Sequence, residues 1–563
     1  MEPLLRPYPK PWIEAPSRRG SPTPGYPYPR DLLRRCDIFP LLVLDGGAFF
    51  FTHEHLGGAT ASDFLAAYQD GSLLAPWRDG RGIDWDRALT ETAASACPAP
   101  LEKHVWLQRL YFLLPLAQAY LRSGQERWAR DWYRHLNSWL RHHPRPSGAE
   151  DRKDWAWFDM QVTWRLLVLV HSVPLLASSS YLTASRWRRV HRALVQHSEH
   201  VLEHATAALK QGTGRGNHFL QKGVALLYSG LLFSEEPGAE ACRDTGRAIV
   251  RQQMETEIMP DGGSVEASPS YSHFIARLYL EAFLLLRDNG QSPIRGLDRS
   301  LRRQYRHLAA ITSPQGRSLQ VSDSYSLDAV ADLRLVEQLF PLGRRAASST
   351  LFPDSGMAVL RRGPFTAIVD AGGQDLWHHH QGRPNLLLFV EDQPLLVDSG
   401  CGNYDATLRV DYCKRAEAHN VVVVGAPAGA PHPTVSVESF EPHRIVVKSV
   451  QRAGRWHCTW TRTISLARDE VLINDRLSAS KQIEARLLFH LAPMNVVLQA
   501  KEGRALAHLA GRDLSVSLCQ SAEPFRMAYR PAFGPDNHLC VSPELTSEAR
   551  GRRLRFSTRI GLG

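Results

Sequence analysis

The 563-residue sequence lacks the marks of several large protein classes. Its eight cysteines, from Cys36 to Cys540, include no Cys-x-x-Cys pair, which argues against a disulfide framework and against a zinc finger. The apolar run Phe39–Leu44 is too short to span a bilayer, so no membrane span is predicted. Lysine and arginine form no dense block with interleaved aromatic residues. The net charge of +10 therefore favours an anionic lipid or acidic polysaccharide over nucleic acid as a partner.

The first twenty residues are rich in proline and arginine and lack the apolar core of a secretory signal. As written, the chain is therefore expected to be cytoplasmic. It is expected to be periplasmic or secreted if the start of the sequence is incomplete.

Hydrophobic periodicity divides the chain into a helical part and a strand-rich part. Apolar residues recur at spacings of three and four between residues 106 and 340, as in Trp128, Trp132, Leu136 and Trp139. Beyond a Gly-, Ser- and Pro-containing stretch at 341–354, short runs rich in valine and isoleucine alternate with turns, and strands are predicted among others at Met357–Arg361 and Glu470–Asn474. We predict an arm and leading segment at 1–100, a helical domain at 101–345 and an antiparallel β-sandwich at 346–563.

Most of the aromatic surface is expected inside the helical domain. Eleven of the fourteen tryptophans precede residue 190, and such large rings usually fill contacts between helices. A minority is expected to face a groove, where an indole can stack on a sugar ring.

Four short motifs carry residues suited to the elimination chemistry of uronic acids. This reaction requires neutralisation of the uronate carboxylate, removal of the C5 proton and protonation of the leaving oxygen. Amide, imidazole and phenol groups perform these steps without a nucleotide or redox cofactor. In chain order the motifs are Asn217-His218, Ser268-Pro-Ser-Tyr271, Leu396-Val-Asp398-Ser-Gly and Ala418-His419-Asn420.

This order of motifs, together with the Trp-rich helices before them, resembles the heparinase II/III family of polysaccharide lyases. The resemblance runs from about residue 105 to 425. It implies an α+β multidomain fold, with an N-terminal incomplete (α/α) toroid followed by a C-terminal antiparallel β-sandwich. It also implies a lyase that cleaves a uronic-acid-containing acidic polysaccharide by β-elimination.

The resemblance assigns roles residue by residue. Asn217 and His218 would neutralise the uronate carboxylate, and Tyr271 would protonate the leaving oxygen. The C5 proton would be removed by Tyr271 or His378, according to the configuration of the substrate. Substrate contacts are expected from Arg165, Trp157, Arg383 and Tyr404. One structural zinc ion is expected at His380, Asp398 and His419, with no organic cofactor.

The sequence departs from the family pattern at its paired histidines. Counting back from Asn385 places Gln381 and Arg383 where relatives carry a His-x-His pair. Either a small insertion lets His378 and His380 supply the pair, or Arg383 replaces the charge of a metal.

Each of the other assignments has a structural alternative. Asn217 alone is compatible with a helix cap, and Arg165 with a purely structural arginine. Asp398 and His419 are compatible with a direct hydrogen bond and no metal. Glu266 is expected to anchor its loop.

Two other functions remain open from the sequence. The first is a non-catalytic or redirected member of the same fold that binds exopolysaccharide during synthesis or export. The second is a glycoside hydrolase, which would need two facing carboxylates. Asp261 and Glu266 are the local candidates for such a pair.

Overall fold

The structure is a computed structural model with a helical domain followed by a strand-rich domain. It describes residues 23–28, 61–80, 82–87, 107–146, 156–342, 348–372, 378–402, 406–499, 504–509, 512–519, 523–534 and 537–562. Of the predicted arm and leading segment at 1–100, the structure describes residues 23–28, 61–80 and 82–87.

The helical domain contains ten helices of nine or more residues within the described chain. They are Ala61–Gln69 (α1), Leu113–Ser123 (α2), Glu126–His142 (α3), Met160–Ser172 (α4), Ala184–Gln211 (α5), Gly216–Leu232 (α6), Ala239–Glu257 (α7), Pro269–Asp288 (α8), Leu297–Ile311 (α9) and Val330–Leu339 (α10). Short 3₁₀ helices lie at Ala75–Trp77 and Val173–Leu176, and a two-stranded ribbon pairs Arg78–Asp79 (β1) with Gly82–Ile83 (β2).

Side-chain periodicity explains how these helices pack. In α3, Trp128, Trp132, Leu136 and Trp139 form one buried stripe on an otherwise polar helix, as their spacing predicts. Helix α6 is buried along nearly its whole length, and it contacts α4, α5, α7 and α8. It is therefore an inner helix, and residues at its beginning are held by neighbours on several sides. No helix among the described residues is both long and apolar enough to cross a membrane.

The second domain is built from antiparallel strands. The strands are Thr350–Phe352 (β3), Met357–Arg362 (β4), Phe365–Asp370 (β5), Asn385–Val390 (β6), Gln393–Leu396 (β7), Val422–Val424 (β8), Thr434–Glu441 (β9), Arg444–Ala453 (β10), Trp456–Leu466 (β11), Glu470–His490 (β12), Asn495–Gln499 (β13), Arg504–Leu509 (β14), Arg512–Cys519 (β15), Arg526–Phe533 (β16) and Leu539–Leu562 (β17). A short helix, Ala406–Leu408 (α11), continues into a π-helical turn at Arg409–Cys413.

These strands form two sheets whose inner faces share one core. Strands β3 to β7 follow one another in a five-stranded sheet. The larger sheet has the order β13-β14-β15-β17-β12-β11-β10-β9, with β16 paired to β17 and β8 paired to β12. Side chains from both sheets meet in a single apolar cluster. The predicted fold class, a helical domain followed by an antiparallel sandwich, is confirmed.

Buried polar side chains fix the two sheets relative to each other. The Asn420 amide donates to the carbonyls of Leu386 and Val397, both at 2.8 Å, and accepts from the His490 backbone N–H at 2.6 Å. It thereby joins β6 and the end of β7 to β12. Because the Asn420 amide is fully buried, each of these hydrogen bonds avoids the cost of an unpaired polar group.

The outer face of the five-stranded sheet packs against the end of the helical domain. One apolar cluster contains Ala310, Ile311, Leu319 and Val321 from the helical side and Phe352, Met357, Val359, Ile368, Leu387 and Phe389 from the sheet. A second contact comes from the β16–β17 turn, where the Asn537 side chain accepts from the Ser326 backbone N–H at 2.8 Å and donates to its carbonyl at 3.1 Å. The loop at 318–326 is therefore held between the two domains.

Candidate active site

Residues from four segments meet where the two domains join. The beginning of α6 contributes Asn217 and His218, and the segment leading into α8 contributes Glu266 and Tyr271. The loop at 318–326 and the segment at 378–383 of the sandwich complete the cluster.

Glu266 is the link between these segments. Its carboxylate is fully buried, and one oxygen accepts from both the backbone N–H and the side-chain amide of Asn217, each at 3.0 Å. The Asn217 carbonyl oxygen accepts from Gln221 at 2.9 Å. These bonds fix the orientation of the Asn217 amide, and they leave one of its two N–H donors for another partner. Glu266 anchors its loop, as the sequence suggested, and it also positions Asn217.

Tyr271 lies in the first turn of α8 and stacks on His378 of the sandwich. The ring centroids are 3.8 Å apart, and the rings are inclined by 19°. His378 lies between two buried carboxylates, with Nε2 3.2 Å from Glu266 and Nδ1 3.1 Å from Asp323. Burial disfavours a charged imidazole, but the hydrogen bonds to Asp323 and Glu266 outweigh burial and raise the pKa of His378 to about 9. His378 is therefore a cation held against the Tyr271 ring at neutral pH.

Asp323 is a functional-site residue that the sequence analysis missed. Its buried carboxylate binds His378, accepts from His380 Nε2 at 2.9 Å and forms a bidentate pair with Arg409. Burial alone would raise its pKa, but these hydrogen-bonded partners hold the pKa of Asp323 well below its usual range. Its backbone N–H also donates to the His378 carbonyl at 3.1 Å.

The serines of the Ser-Pro-Ser-Tyr motif connect Tyr271 to the loop that carries Asp323. The Ser268 hydroxyl donates to the Asp323 carbonyl at 3.0 Å. Ser270 accepts from the Tyr325 backbone N–H at 3.1 Å, while its own N–H donates to Ser324 at 2.9 Å. The motif therefore sets the position of the first turn of α8 relative to the loop at 318–326.

His218 lies beside Asn217 but is much more exposed. Its side chain is 46% exposed, and its Nδ1 is 2.5 Å from a carboxylate oxygen of Asp159. The other Asp159 oxygen is 3.0 Å from the Lys222 amine. Burial alone would raise the pKa of Asp159. Its contacts with His218 and Lys222 outweigh burial and lower the pKa below its usual value, so this carboxylate stays charged.

His380, Asp398 and His419 form a buried group in which one potential ligand atom from each residue lies within 4.8 Å of the others. Asp398 is 2.6 Å from His419 Nδ1, and it accepts from the Asn385 amide at 2.6 Å. Burial alone would raise the pKa of Asp398, but the neighbouring His419 outweighs burial, and the pKa of Asp398 is lowered overall. His380 Nδ1 and His419 Nε2 are buried without a hydrogen-bond partner among the described residues. Two imidazole nitrogens and a carboxylate are a donor set that suits zinc.

Arg383 does not join this group. Its Nε donates to Asp370 at 2.9 Å, and its guanidinium reaches the Ser322 hydroxyl at 3.4 Å. The preceding Gly382 lies so close to His419 that an added Cβ would be 2.1 Å from the ring. His380, and not Gln381 or Arg383, lies with Asp398 and His419, and His378 lies against Tyr271. The 4% exposed Arg383 connects the sheet to the loop at 318–326.

Arg165 and Trp157 lie in the helical core. Arg165 is fully buried, donates to the Gln108 carbonyl at 2.7 Å and to His197 at 3.0 Å, and lies over the Trp139 ring at 3.8 Å. Trp157 is 2% exposed, and its indole N–H donates to a backbone carbonyl at 3.1 Å. Of the two roles left open for Arg165, this placement agrees with the structural one. Tyr404 lies outside the described residues.

The two carboxylates considered for glycoside hydrolysis, those of Asp261 and Glu266, both accept hydrogen bonds from backbone and side-chain groups. Asp261 accepts from the backbone N–H of Ser355 at 2.7 Å and from its hydroxyl at 3.0 Å. Glu266 is bound to Asn217 and His378, as described above. Neither carboxylate is arranged as a free acid facing a second one across a cleft.

A helical domain, an antiparallel sandwich and a cluster of Asn, His and Tyr residues between them define a two-domain protein of the toroid-and-sandwich class. Residues 56–344 match the model described as heparinase II/III N-terminus, and residues 344–558 match the one described as heparinase II/III-like, C-terminal. The chain belongs to the heparinase II/III family.

Curated relatives and solved structures agree with this assignment. A heparin-sulfate lyase of Bacteroides thetaiotaomicron is 27% identical over 225 residues, which are 39% of this chain and 30% of the relative. A heparin-sulfate lyase of Bacteroides stercoris is 22% identical over 367 residues, 58% of this chain and 53% of the relative. The matched part thus spans about half or less of each relative.

Among solved structures, a heparinase III has a TM-score of 0.75 at 18% identity and covers 86% of this chain and 80% of its own. A chondroitin AC lyase of Streptomyces coelicolor, solved with chondroitin sulphate, has a TM-score of 0.58 at 14% identity, covering 95% and 82%. At such identities the similarity establishes the fold.

Replacing Asp323 with asparagine is expected to destabilise the junction. The variant would remove the buried carboxylate that pairs with Arg409 and one of the two carboxylates that flank His378. Breaking a buried pair in this way costs on the order of 3–5 kcal/mol. Asp323→Asn should therefore lower the urea midpoint measured by circular dichroism. Asp392→Asn, at the exposed turn between β6 and β7, is the matched control and should leave the midpoint unchanged. Equal midpoints for both variants would contradict this account of the junction.

Proposed function

We propose that this chain is a polysaccharide lyase that cleaves a uronic-acid-containing acidic polysaccharide by β-elimination. The observation that carries the proposal is the stack of Tyr271 on His378, with Asn217 bound to the same Glu266 carboxylate that His378 contacts. A proton-transfer group, a cation and an oriented amide thus lie together at the junction of the two domains.

The first requirement of the reaction is stabilisation of the uronate carboxylate as the C5 proton leaves. Asn217 has an amide N–H that its described partners do not use, and the neighbouring His218 is exposed enough to reach a ligand. The His378 cation adds positive charge where negative charge develops. Fixed donors of this kind are effective because they need no reorganisation during the reaction.

The second requirement is proton transfer, and we assign both transfers to Tyr271. Both ring nitrogens of His378 face carboxylates, so no nitrogen is left to accept a substrate proton. The C5 proton passes to the Tyr271 oxygen, which accepts it as the phenolate, the C–H electron pair forms the C4=C5 double bond, and the C4–O bond breaks with its electron pair on the leaving oxygen. The same tyrosine then returns the proton to the leaving oxygen. One phenolic oxygen can be the base and then the acid only when the C5 proton and the leaving oxygen lie on the same face of the sugar.

For the substrate we propose a glycosaminoglycan-like chain or a bacterial exopolysaccharide with 4-linked uronate. The relatives named heparin-sulfate lyases support the first class, and the net charge of +10 favours any polyanion.

We further propose that His380, Asp398 and His419 hold one structural zinc ion. Such an ion would crosslink the segments that carry these residues and would keep His380 beside Asp323. The proton transfers described above involve only side chains of the protein.

Tyr271→Phe should abolish most of the activity while leaving the fold intact. The phenylalanine ring retains the stack on His378 but cannot carry a proton, so kcat is expected to fall by roughly 100- to 10,000-fold. Activity would be followed by the ultraviolet absorbance of the unsaturated uronate, with heparosan, heparan sulfate, hyaluronan, chondroitin, alginate and bacterial exopolysaccharides as substrates.

Tyr279→Phe provides the matched control for this experiment. Tyr279 lies two turns further along α8, is fully buried and has a hydroxyl without a partner among the described residues. This variant should retain wild-type activity. Full activity in Tyr271→Phe would refute the assigned role. Binding without cleavage by the wild-type protein would support a non-catalytic member of the family.

The zinc proposal predicts about one zinc per chain in protein purified without added metal, measured by elemental analysis. His419→Ala should lose the metal, because it removes one of the buried nitrogens. His457→Ala, at an exposed position of the same domain, should retain it. Metal-free wild-type protein with normal thermal stability would contradict the proposal.

A further inference from the structure

A partly buried acidic residue, Asp159, contacts the side chain of His218. It comes directly before α4 and occupies the N-cap position of that helix. Aspartate at this position usually accepts a hydrogen bond from the first turn of its own helix. The Asp159 side chain forms no such bond, so helix capping does not account for its carboxylate.

The backbone of Asp159 is also unusual. Its φ of 45° and ψ of −114° lie in a region that residues other than glycine rarely occupy. Holding a non-glycine residue there costs on the order of 1–3 kcal/mol. A glycine at this position would avoid the backbone strain, but it would lack the carboxylate that contacts His218 in the candidate active site.

The carboxylate is held by two side chains of the neighbouring helix. His218 and Lys222 are four residues apart and therefore lie on the same face of α6. His218 Nδ1 is 2.5 Å from one Asp159 oxygen, and the Lys222 amine is 3.0 Å from the other. Lys222 is only 9% exposed, so the three groups form a largely enclosed arrangement from which the His218 ring emerges.

This arrangement determines which nitrogen of His218 is available. Because Nδ1 faces a carboxylate, it must carry the proton, and Nε2 has no partner among the described residues. A carboxylate behind an imidazole fixes both its tautomer and its orientation. The charge of Lys222 compensates that of Asp159, so the carboxylate does not repel an anionic ligand at His218.

We infer that Asp159 is a positioning residue for the reaction: it holds His218 with Nε2 directed at the uronate carboxylate, while Lys222 offsets its charge. This inference rests on the proposed function, because it assigns to His218 the contact with the substrate. Asp159 itself touches no substrate atom.

The first test needs no substrate and no variant that has to be active. Long-range proton–nitrogen NMR correlations of ¹⁵N-histidine-labelled protein report which ring nitrogen carries a proton, and the His218 signals are identified by their loss in His218→Ala. A proton retained on Nδ1 throughout the titration supports the inference. A neutral His218 protonated only on Nε2 would overturn it, whether or not the protein is a lyase.

The second test is a double-mutant cycle in the lyase assay. Asp159→Asn tolerates the unusual backbone better than most substitutions and removes only the charge. It should lower kcat by roughly 10- to 100-fold, with a smaller change in KM. In the His218→Ala background the same substitution should change kcat by no more than about twofold.

Glu126→Gln is the matched control, because Glu126 is a hydrogen-bonded carboxylate of the same domain that binds Ser179 and Ser180. It should alter thermal stability without altering kcat. Losses from Asp159→Asn and His218→Ala that simply multiply would overturn the inference and indicate a structural role for Asp159. A wild-type protein without lyase activity would refute the proposed function, and the NMR result would still decide the state of His218.

Discussion

The buried carboxylate of Asp323 is the interaction on which the rest of the site depends. It lies in the loop at 318–326 of the helical domain, yet its side-chain partners, His378, His380 and Arg409, come from the sandwich. A buried anion is stable only where cationic or hydrogen-bonding groups surround it. The domains meet in an arrangement that supplies these groups, and that arrangement places His378 over Tyr271.

Glu266 is a second buried carboxylate that connects the two domains, and it lies in the helical domain. It joins Asn217 at the start of α6 to His378 of the sandwich, and the serines of the Ser-Pro-Ser-Tyr motif join α8 to the Asp323 loop. The proposed catalytic groups are thus held by hydrogen bonds, several of them to carboxylates, that cross between segments far apart in sequence. Such preorganisation is what electrostatic stabilisation of a transition state requires.

Several features of the fold were predictable because they depend on local patterns. The helical period of α3 and the apolar run at Met357–Arg361 predicted elements that the structure contains. Strand β12 was predicted only as far as Asn474, but it continues to His490. Asp475, a charged residue at an inward-facing position, interrupts the apolar pattern of this strand in the sequence. The sequence pattern suggests an end there, whereas in the fold Asp475 pairs with the buried Arg462 at 2.8 Å.

In the candidate site, too, some residues were predictable from local sequence patterns and others were not. Asn217, His218 and Tyr271 were identified from motifs, and the structure brings them to one junction. Asp323 and Asp159 were missed, because their roles arise from contacts across 50 or more residues and no local spacing signals them. Arg165 and Trp157 have the residue types of a sugar-binding groove, and the same types also build an aromatic core. Only the burial of Arg165 and Trp157 in the structure distinguishes a role in the core from a role in a groove.

The most direct test of the central claim is the origin of the oxygen atoms in the cleavage products. Digestion in water enriched in heavy oxygen, followed by mass spectrometry, separates elimination from hydrolysis. If the Tyr271 cluster catalyses β-elimination, the products together have the mass of the intact chain, because no water is added across the cleaved bond. Products that have gained one water and carry the heavy isotope would show hydrolysis, and the proposed mechanism would be wrong.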